Sequence, residues 1–165
     1  MLSIISHLPI VSCMNKDVES LPGLLIVDDE LDVRNVLKEA LSGLTDDIVL
    51  VESGQEAIKV CLSRSFDLVI SDMRMPGMDG AELLKTLSRD YPSMRRIILT
   101  GYSDLDQTLK AINEGRVNRY LTKPFSIESL VQEVTDELKL GQRERSEISR
   151  LRRAINLLSD ESRDD

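Results

Sequence analysis

Five side chains that could bind a cation and a phosphate follow short apolar segments of the sequence. Asp28 and Asp29 follow the first segment, Asp72 and Thr100 end two later ones, and Lys123 lies just past the last. Carboxylates that approach one another repel, and a hard divalent cation with oxygen ligands relieves that repulsion. Mg2+ takes one or two carboxylates, keeps several waters and completes its shell with a phosphate oxygen. If one edge of the fold gathers these residues, the sequence predicts a Mg2+ site that accepts a phosphate.

Each of these residues also has an ordinary structural use. An Asp after a strand commonly caps the following helix, a Thr can simply end a strand, and a Lys can be a surface charge. Capping does not explain why all five stand at the ends of successive apolar segments. We therefore expect them to form one site.

The elements that must position these residues alternate along the chain. The predicted strands are Leu24–Asp28, Ile48–Glu52, Asp67–Asp72, Arg95–Thr100 and Asn118–Thr122. The predicted helices are Leu31–Leu41, Gln55–Ser63, Ala81–Arg89, Asp104–Asn113 and Ile127–Leu138. Helix ends are marked by Gly43, Ser53, Asp79, Ser103 and Ser126. Strands that alternate with helices pair in parallel, so this (βα)5 pattern predicts an α/β fold with a doubly wound five-stranded sheet. In such sheets functional groups collect at the carboxyl ends of the strands.

Composition excludes several classes of function. The 165 residues suit one core, and 21 basic against 29 acidic residues give a net charge of −8, so DNA is not expected as a partner. Trp is absent and Phe and Tyr are few, which argues against a carbohydrate or base-stacking site. Cys13 and Cys61 form no CxxC pair, and His7 cannot complete a zinc site with them. Both cysteines are interpreted as reduced thiols in a cytoplasmic protein.

Residues 1–22 are interpreted as a flexible N-terminal extension. Polar residues and Pro9 break the apolar run, which makes a poor signal peptide and is too short to span a membrane. A start of translation at Met14 instead of Met1 stays open. No interaction with a membrane is expected.

Four motifs identify a known family over the segment from Leu24 to Leu138. They are VDDE at 27–30, SDMRMPGMDG at 71–80, LTGY at 99–102 and YLTKPF at 120–125. In this order and spacing they resemble the response-regulator receiver (CheY-like) domains of two-component signalling. The resemblance implies a flavodoxin-like strand order 2-1-3-4-5 and a receiver domain over residues 23–140.

The resemblance also implies a chemical role for each site residue. Asp72 would accept a phosphoryl group from a phosphohistidine on a sensor histidine kinase or a phosphotransfer protein. Asp28, Asp29, Asp72 and the backbone carbonyl of Arg74 would bind Mg2+. Lys123 would pair with the phosphoryl group and would be joined to Pro124 by a cis peptide bond. On this interpretation the chain is a phosphoacceptor and not an enzyme.

A switch is implied as well. Thr100 would hydrogen-bond the phosphoryl oxygen, and Tyr120 would turn inward into the space that Thr100 leaves. The movement would remodel the face formed by the fourth helix, the fifth strand and the fifth helix, and so change binding to a downstream protein.

Residues 141–165 leave the receiver pattern. Gly141 is expected to interrupt the fifth helix, and an amphipathic helix with an acidic tail should follow. Ile148, Leu151, Ile155 and Leu158 are spaced by 3, 4 and 3 residues, a short seam through which the chain could form a homodimer or bind a partner.

Other functions stay open at this point. A Mg2+-dependent phosphatase or phosphotransferase with an aspartate nucleophile typically has a DxD pair, whereas Asp28 and Asp29 are adjacent. A flavin-binding carrier would need a phosphate loop after the first strand and more aromatic residues. We prefer a single-domain signal relay, with a receiver fragment of a longer transcriptional or cyclic-nucleotide regulator as the alternative.

Overall fold

The computed structural model describes residues 21–114 and 116–161, and the side chains of all of these except residues 159–161. Five parallel strands form one sheet in the order β2-β1-β3-β4-β5. The strands are β1 Leu24–Val27, β2 Ile48–Val51, β3 Leu68–Asp72, β4 Arg95–Thr100 and β5 Arg119–Thr122. The helices are α1 Leu31–Leu41, α2 Gly54–Ser63, α3 Gly80–Asp90, α4 Leu105–Asn113 and α5 Ile127–Glu161. The predictions for His7, Cys13, the alternative start and the last four acidic-tail residues fall outside the described residues.

Two hydrophobic cores, one on each face of the sheet, explain why the strands are apolar throughout. In β1, Leu25 and Val27 pack against residues of α2 and α3, whereas Leu24 and Ile26 pack against residues of α1 and α5. All four are at most 1% exposed. A strand with helices on both faces needs apolar residues at every position, so the doubly wound fold predicted from the sequence is confirmed.

The helix starts were predicted well, with one exception. Ser53 and Asp79 accept hydrogen bonds from the backbone N–H groups of Glu56 and Glu82, as expected of N-caps. The prediction that Ser103 caps the fourth helix is wrong. A 3-10 turn spans Tyr102–Asp104, closed by a 3.1 Å bond from the N–H of Asp104 to the carbonyl of Gly101, and α4 begins after it.

The fifth helix is continuous, so the interruption expected at Gly141 is wrong. The helix runs for 35 residues, and its extension is a continuation of α5 instead of a separate element. Gly141 lies against Arg95, where a Cβ atom would be 3.1 Å from the Arg95 Cγ atom. Arg95 forms ion pairs with Glu137 and Glu144, on either side of Gly141. These contacts hold the helix against β4 and offset the low helix propensity of glycine.

Beyond the ion pair of Arg145 with Asp67, at 2.9 Å, the helix carries an exposed apolar stripe. Its members are Ile148, Leu151, Ile155 and Leu158, which are 46% to 68% exposed. No helix in the described ranges is both long enough and apolar enough to cross a membrane.

Cys61 is a free, buried thiol on α2. Burial raises the pKa of Cys61 to about 11, so the thiol stays protonated at neutral pH. The structure thus has Cys61 as a free thiol, and its interpretation as a reduced cysteine in a cytoplasmic protein stays a prediction.

Candidate functional site

The carboxyl ends of β1, β3, β4 and β5 meet at one edge of the sheet, as the sequence predicted. Backbone hydrogen bonds at this edge fix the loops that carry the polar side chains. The N–H of Lys123 donates to the carbonyl of Thr100 at 2.7 Å, and the N–H of Met73 donates to the carbonyl of Leu99 at 2.8 Å. Asp28 donates its N–H to the carbonyl of Val51 on β2 at 3.3 Å. The start of each of these loops is therefore held by a hydrogen bond to the adjacent strand.

Asp72 and Lys123 are paired at the centre of the site. The Lys123 Nζ atom lies 2.7 Å from Oδ1 of Asp72 and 3.7 Å from Oδ2 of Asp28. The other oxygen of Asp72, Oδ2, accepts the backbone N–H of Arg74 at 3.0 Å. Burial lowers the pKa of Lys123, but its hydrogen bond and attraction to Asp72 outweigh that effect, so the pKa is raised. The peptide bond from Lys123 to Pro124 is cis, as the resemblance implied.

Asp28 is a buried carboxyl group with one oxygen that accepts no hydrogen bond. Its side chain is 1% exposed, Oδ1 accepts the N–H of Glu30 at 2.9 Å, and Oδ2 has no hydrogen-bond partner among the described residues. Burial raises the pKa of Asp28 above its usual value, and the nearby carboxylates of Asp72 and Asp29 act in the same direction. A buried unpaired carboxylate oxygen is costly, and a cation would relieve that cost.

The residues present fit a Mg2+ ion. Among the described residues no group of three or more His, Cys, Asp or Glu side chains is arranged to hold a metal ion; Asp29 is exposed, and Lys123 holds Asp72. Mg2+ does not need such a group, because it binds through one or two carboxylates and retains water. The unpaired Oδ2 of Asp28, the exposed carboxylate of Asp29 and a cleft of about 470 Å3 lined by Asp29 and Arg74 meet that requirement.

The loop between β3 and α3 brings the first residue of α3 against the backbone of Asp72. The N–H of Gly80 donates to the carbonyl of Met73 at 2.9 Å. A Cβ atom on Gly80 would lie 2.2 Å from the carbonyl oxygen of Asp72, so no other residue fits here without moving the backbone. Within the same loop Gly77 has a φ of 80°, which glycine adopts at no steric cost.

The two residues assigned to the switch lie where the sequence placed them. Thr100 ends β4, is fully buried, and its hydroxyl lies 3.2 Å from the carbonyl of Gly101 and 3.1 Å from the hydroxyl of Thr108. Tyr120 on β5 pairs with Ile98 of β4 and is 39% exposed.

Sequence reasoning missed two partners of this site, both in the segment after β4. The guanidinium of Arg74 donates two hydrogen bonds to Oδ1 of Asp104, one of them at 2.8 Å from Nε. That ion pair holds the pKa of the buried Asp104 carboxyl below its usual value. Thr108 is fully buried in α4 beside Thr100. A Thr three and four residues before the apolar Ala111 and Ile112 was the only signal for it in the sequence.

Comparisons with known proteins agree with this geometry. The family model described as "Response regulator receiver domain" matches residues 24–135. The DNA-binding transcriptional regulator NtrC of Klebsiella pneumoniae is 42% identical over 106 residues, which are 64% of this chain and 22% of that protein. The response regulator protein FleR of Pseudomonas aeruginosa is 36% identical over 119 residues, 72% of this chain and 25% of FleR. The chain thus spans about a quarter of the length of these relatives.

Solved structures show the same likeness. The signal receiver domain of an HD domain-containing protein from Pseudomonas fluorescens Pf-5 has a TM-score of 0.72 and 35% identity, and the match covers 81% of this chain and 98% of that one. NtrX from Brucella abortus in complex with ADP has a TM-score of 0.73 and 25% identity, with 80% of this chain and 30% of NtrX covered.

Proposed function

Because the chain belongs to the response regulator receiver family, we propose that it accepts a phosphoryl group on Asp72 from a phosphohistidine of a sensor histidine kinase or a phosphotransfer protein. One observation carries the proposal: the Asp72 carboxylate lies between the N–H of Arg74 and the ammonium of Lys123, beside the buried Asp28. We expect the reaction to take place in the cytoplasm.

In the transfer, a carboxylate oxygen of Asp72 attacks phosphorus, the P–N bond to the imidazole breaks, and the histidine leaves with its electron pair. The N–H of Arg74 fixes the plane of the carboxylate through Oδ2. Lys123 lies where it can neutralise the equatorial phosphoryl oxygens as they approach Asp72. Asp28, Asp29, Asp72 and the carbonyl of Arg74 would hold Mg2+, which would supply further positive charge to the phosphoryl oxygens. The chain catalyses only its own phosphorylation and dephosphorylation.

The phosphoryl group would then act on the rest of the fold through Thr100. Its hydroxyl would turn from Gly101 and Thr108 toward a phosphoryl oxygen, and Tyr120 would turn inward from its half-exposed position. Since Thr100 contacts Thr108 on α4 and Tyr120 lies on β5, the face formed by α4, β5 and the start of α5 would change shape and bind a protein target differently.

Two forms of output are consistent with this switch. A single-domain relay would bind its target through that face. A receiver within a longer regulator would act on an attached output domain. This form is favoured by the relatives, in which the matched segment makes up 22% to 25% of the protein and which include DNA-binding transcriptional regulators. The expectation that DNA is not a partner therefore applies only to the receiver domain. It does not apply to other parts of the pathway in which the receiver works.

The exposed stripe on α5 is proposed to pair with a second copy of the chain. Ion pairs of Arg95 and Arg145 hold the earlier part of α5 to the rest of the protein. The apolar residues of the stripe follow these ion pairs along α5 and are exposed. Light scattering on the chain and on Leu151→Lys tests this. A dimer that becomes a monomer in the variant supports pairing, and a monomer in both samples rejects it.

Intact mass spectrometry after incubation with acetyl phosphate and Mg2+ tests the main proposal. We expect wild type to gain one phosphoryl group, Asp72→Asn to gain none, and the exposed control Asp90→Asn to behave as wild type. Equal modification of Asp72→Asn and wild type would reject Asp72 as the acceptor. Continuous hydrolysis of phosphate esters would instead support the alternative phosphatase.

A further inference from the structure

We infer that Thr108 is a positioning residue for the switch: its hydroxyl holds that of Thr100 in the resting orientation and opposes its movement to the phosphoryl group. The inference rests on the proposed phosphorylation of Asp72. It goes further in assigning a role to a residue on α4 that touches neither the phosphoryl group nor a cation.

The geometry around Thr108 is that of a buried polar link between β4 and α4. Both Thr100 and Thr108 are fully buried, and their hydroxyl oxygens are 3.1 Å apart. The Thr108 hydroxyl also lies 3.0 Å from the carbonyl of Asp104, one turn earlier. Buried hydroxyl groups are costly without partners, so each of these two groups depends on the other and on the nearby carbonyls.

The link conflicts with the role proposed for Thr100 in the switch. Thr100 donates its one hydroxyl proton to the carbonyl of Gly101 and accepts a hydrogen bond from Thr108, so donation to a phosphoryl oxygen ends the bond to Gly101. Turning toward Asp72 also moves the Thr100 oxygen away from α4. The contact with Thr108 therefore stabilises only the resting state, and its loss is part of the cost of switching.

The link also connects the phosphorylation site with the output face. Thr108 lies in the first turns of α4, and the carbonyl it contacts belongs to the 3-10 turn before that helix. When Thr100 leaves, Thr108 keeps its contact with the carbonyl of Asp104 and loses its contact with β4. The start of α4 is then held less firmly against the sheet.

Binding of beryllofluoride with Mg2+, measured by calorimetry, tests the inference. Thr108→Val keeps the branched shape and removes the hydroxyl, and we expect it to bind about three- to tenfold more tightly than wild type, as for loss of one hydrogen bond that opposes binding. Thr108→Ser retains the hydroxyl and should stay within about twofold of wild type. Thr86→Val on α3 is a matched control, since the Thr86 hydroxyl also contacts a carbonyl one turn earlier, that of Glu82 at 3.1 Å, and should not change affinity.

The possible results separate the two proposals. If wild type shows no binding that depends on Asp72, the proposed function fails and the role of Thr108 fails with it. If wild type binds and Thr108→Val binds equally or more weakly, only the role of Thr108 is rejected. A purely structural role would lower the urea midpoint of Thr108→Val without tightening binding.

A measurement on wild type keeps the inference testable should Thr108→Val not fold. Amide hydrogen exchange in residues 105–108 should become severalfold faster when beryllofluoride and Mg2+ are added, because the link to β4 is broken. Unchanged or slower exchange in this turn would overturn the inference.

Discussion

Replacing Gly80 by Ala should displace the backbone of Asp72, the proposed phosphoacceptor. The new Cβ atom would lie 2.2 Å from the carbonyl oxygen of Asp72, more than 1 Å short of an ordinary contact at 3.4 Å, and 3.0 Å from Cα of Met73. Forcing extra atoms into a packed site costs about 1–3 kcal/mol. Here the obstacle is backbone that cannot rotate away, so we expect the upper end of that range. The better helix propensity of Ala offsets at most about 1 kcal/mol.

The expected net loss in the free energy of unfolding is about 2 kcal/mol, and Gly54→Ala provides the matched control. Gly54 and Gly80 are the first residues of α2 and α3. A Cβ atom on Gly54 would meet only the flexible side chain of Met78, with Sδ at 2.9 Å, so the control should lose less than about 1 kcal/mol. Gly43→Ala meets nothing within 4 Å and should be neutral.

Urea unfolding followed by circular dichroism measures these differences, since the chain has no Trp for fluorescence. With a slope of about 1–3 kcal/mol per molar urea, the midpoint of Gly80→Ala should fall by roughly 1 M. The same variant should bind beryllofluoride more weakly than Gly54→Ala, because the displaced carbonyl belongs to Asp72. Unfolding midpoints and affinities that agree for the two variants would refute the reasoning.

Three further substitutions test the electrostatics of the site. Burial raises the pKa of Asp28, so ionisation of this carboxyl group costs stability as pH rises through the folded-state pKa. At pH 7 without Mg2+, Asp28→Asn should therefore raise the free energy of unfolding by about 1–3 kcal/mol, and the variant should bind Mg2+ more weakly than wild type. A lower urea midpoint for the variant would contradict this. Hydrogen bonds from Arg74 lower the pKa of Asp104. Arg74→Ala should therefore speed amide hydrogen exchange at the start of α4 at neutral pH. The difference in exchange rate from wild type should vanish as pH falls below the usual Asp pKa of about 4, because the Asp104 carboxylate becomes protonated. Lys123→Met should slow modification of Asp72 by acetyl phosphate by about a hundredfold. Calorimetry should find that the variant binds Mg2+ more tightly than wild type, because the competing ammonium group is gone. An unchanged rate of modification would exclude the role given to Lys123.

The sheet and most of the site could be predicted because both depend on short-range patterns. Apolar runs such as LLIV alternate with helical spacing, and parallel pairing follows from that alternation. Parallel strands all point one way, so residues at their carboxyl ends must meet at one edge. This reasoning placed Asp28, Asp72, Thr100 and Lys123 at that edge, although Asp28 and Asp72 lie 44 positions apart in the chain.

Contacts between elements could not be predicted, because sequence spacing does not specify which side chains face each other. Gly141 was expected to interrupt a helix, yet its lack of a side chain lets Arg95 pack against it. The ion pairs of Arg95 with Glu137 and Glu144 then stabilise a helix that continues past this glycine. Likewise, Thr108 is an ordinary helix residue in the sequence and a partner of the switch residue in the structure.

The sequence by itself determined which chemistry is present: the order of strands and helices, and the carboxylates, hydroxyl and ammonium at the strand ends. The tertiary structure alone decided how that chemistry is held before phosphorylation. It left Oδ2 of Asp28 buried without a hydrogen-bond partner, joined Arg74 to Asp104, and set the hydroxyl of Thr100 against Thr108. The physical reason is that side-chain types and periodicity are local properties, whereas hydrogen bonds between β4, α4 and the loop after β3 depend on the packing of elements distant in sequence.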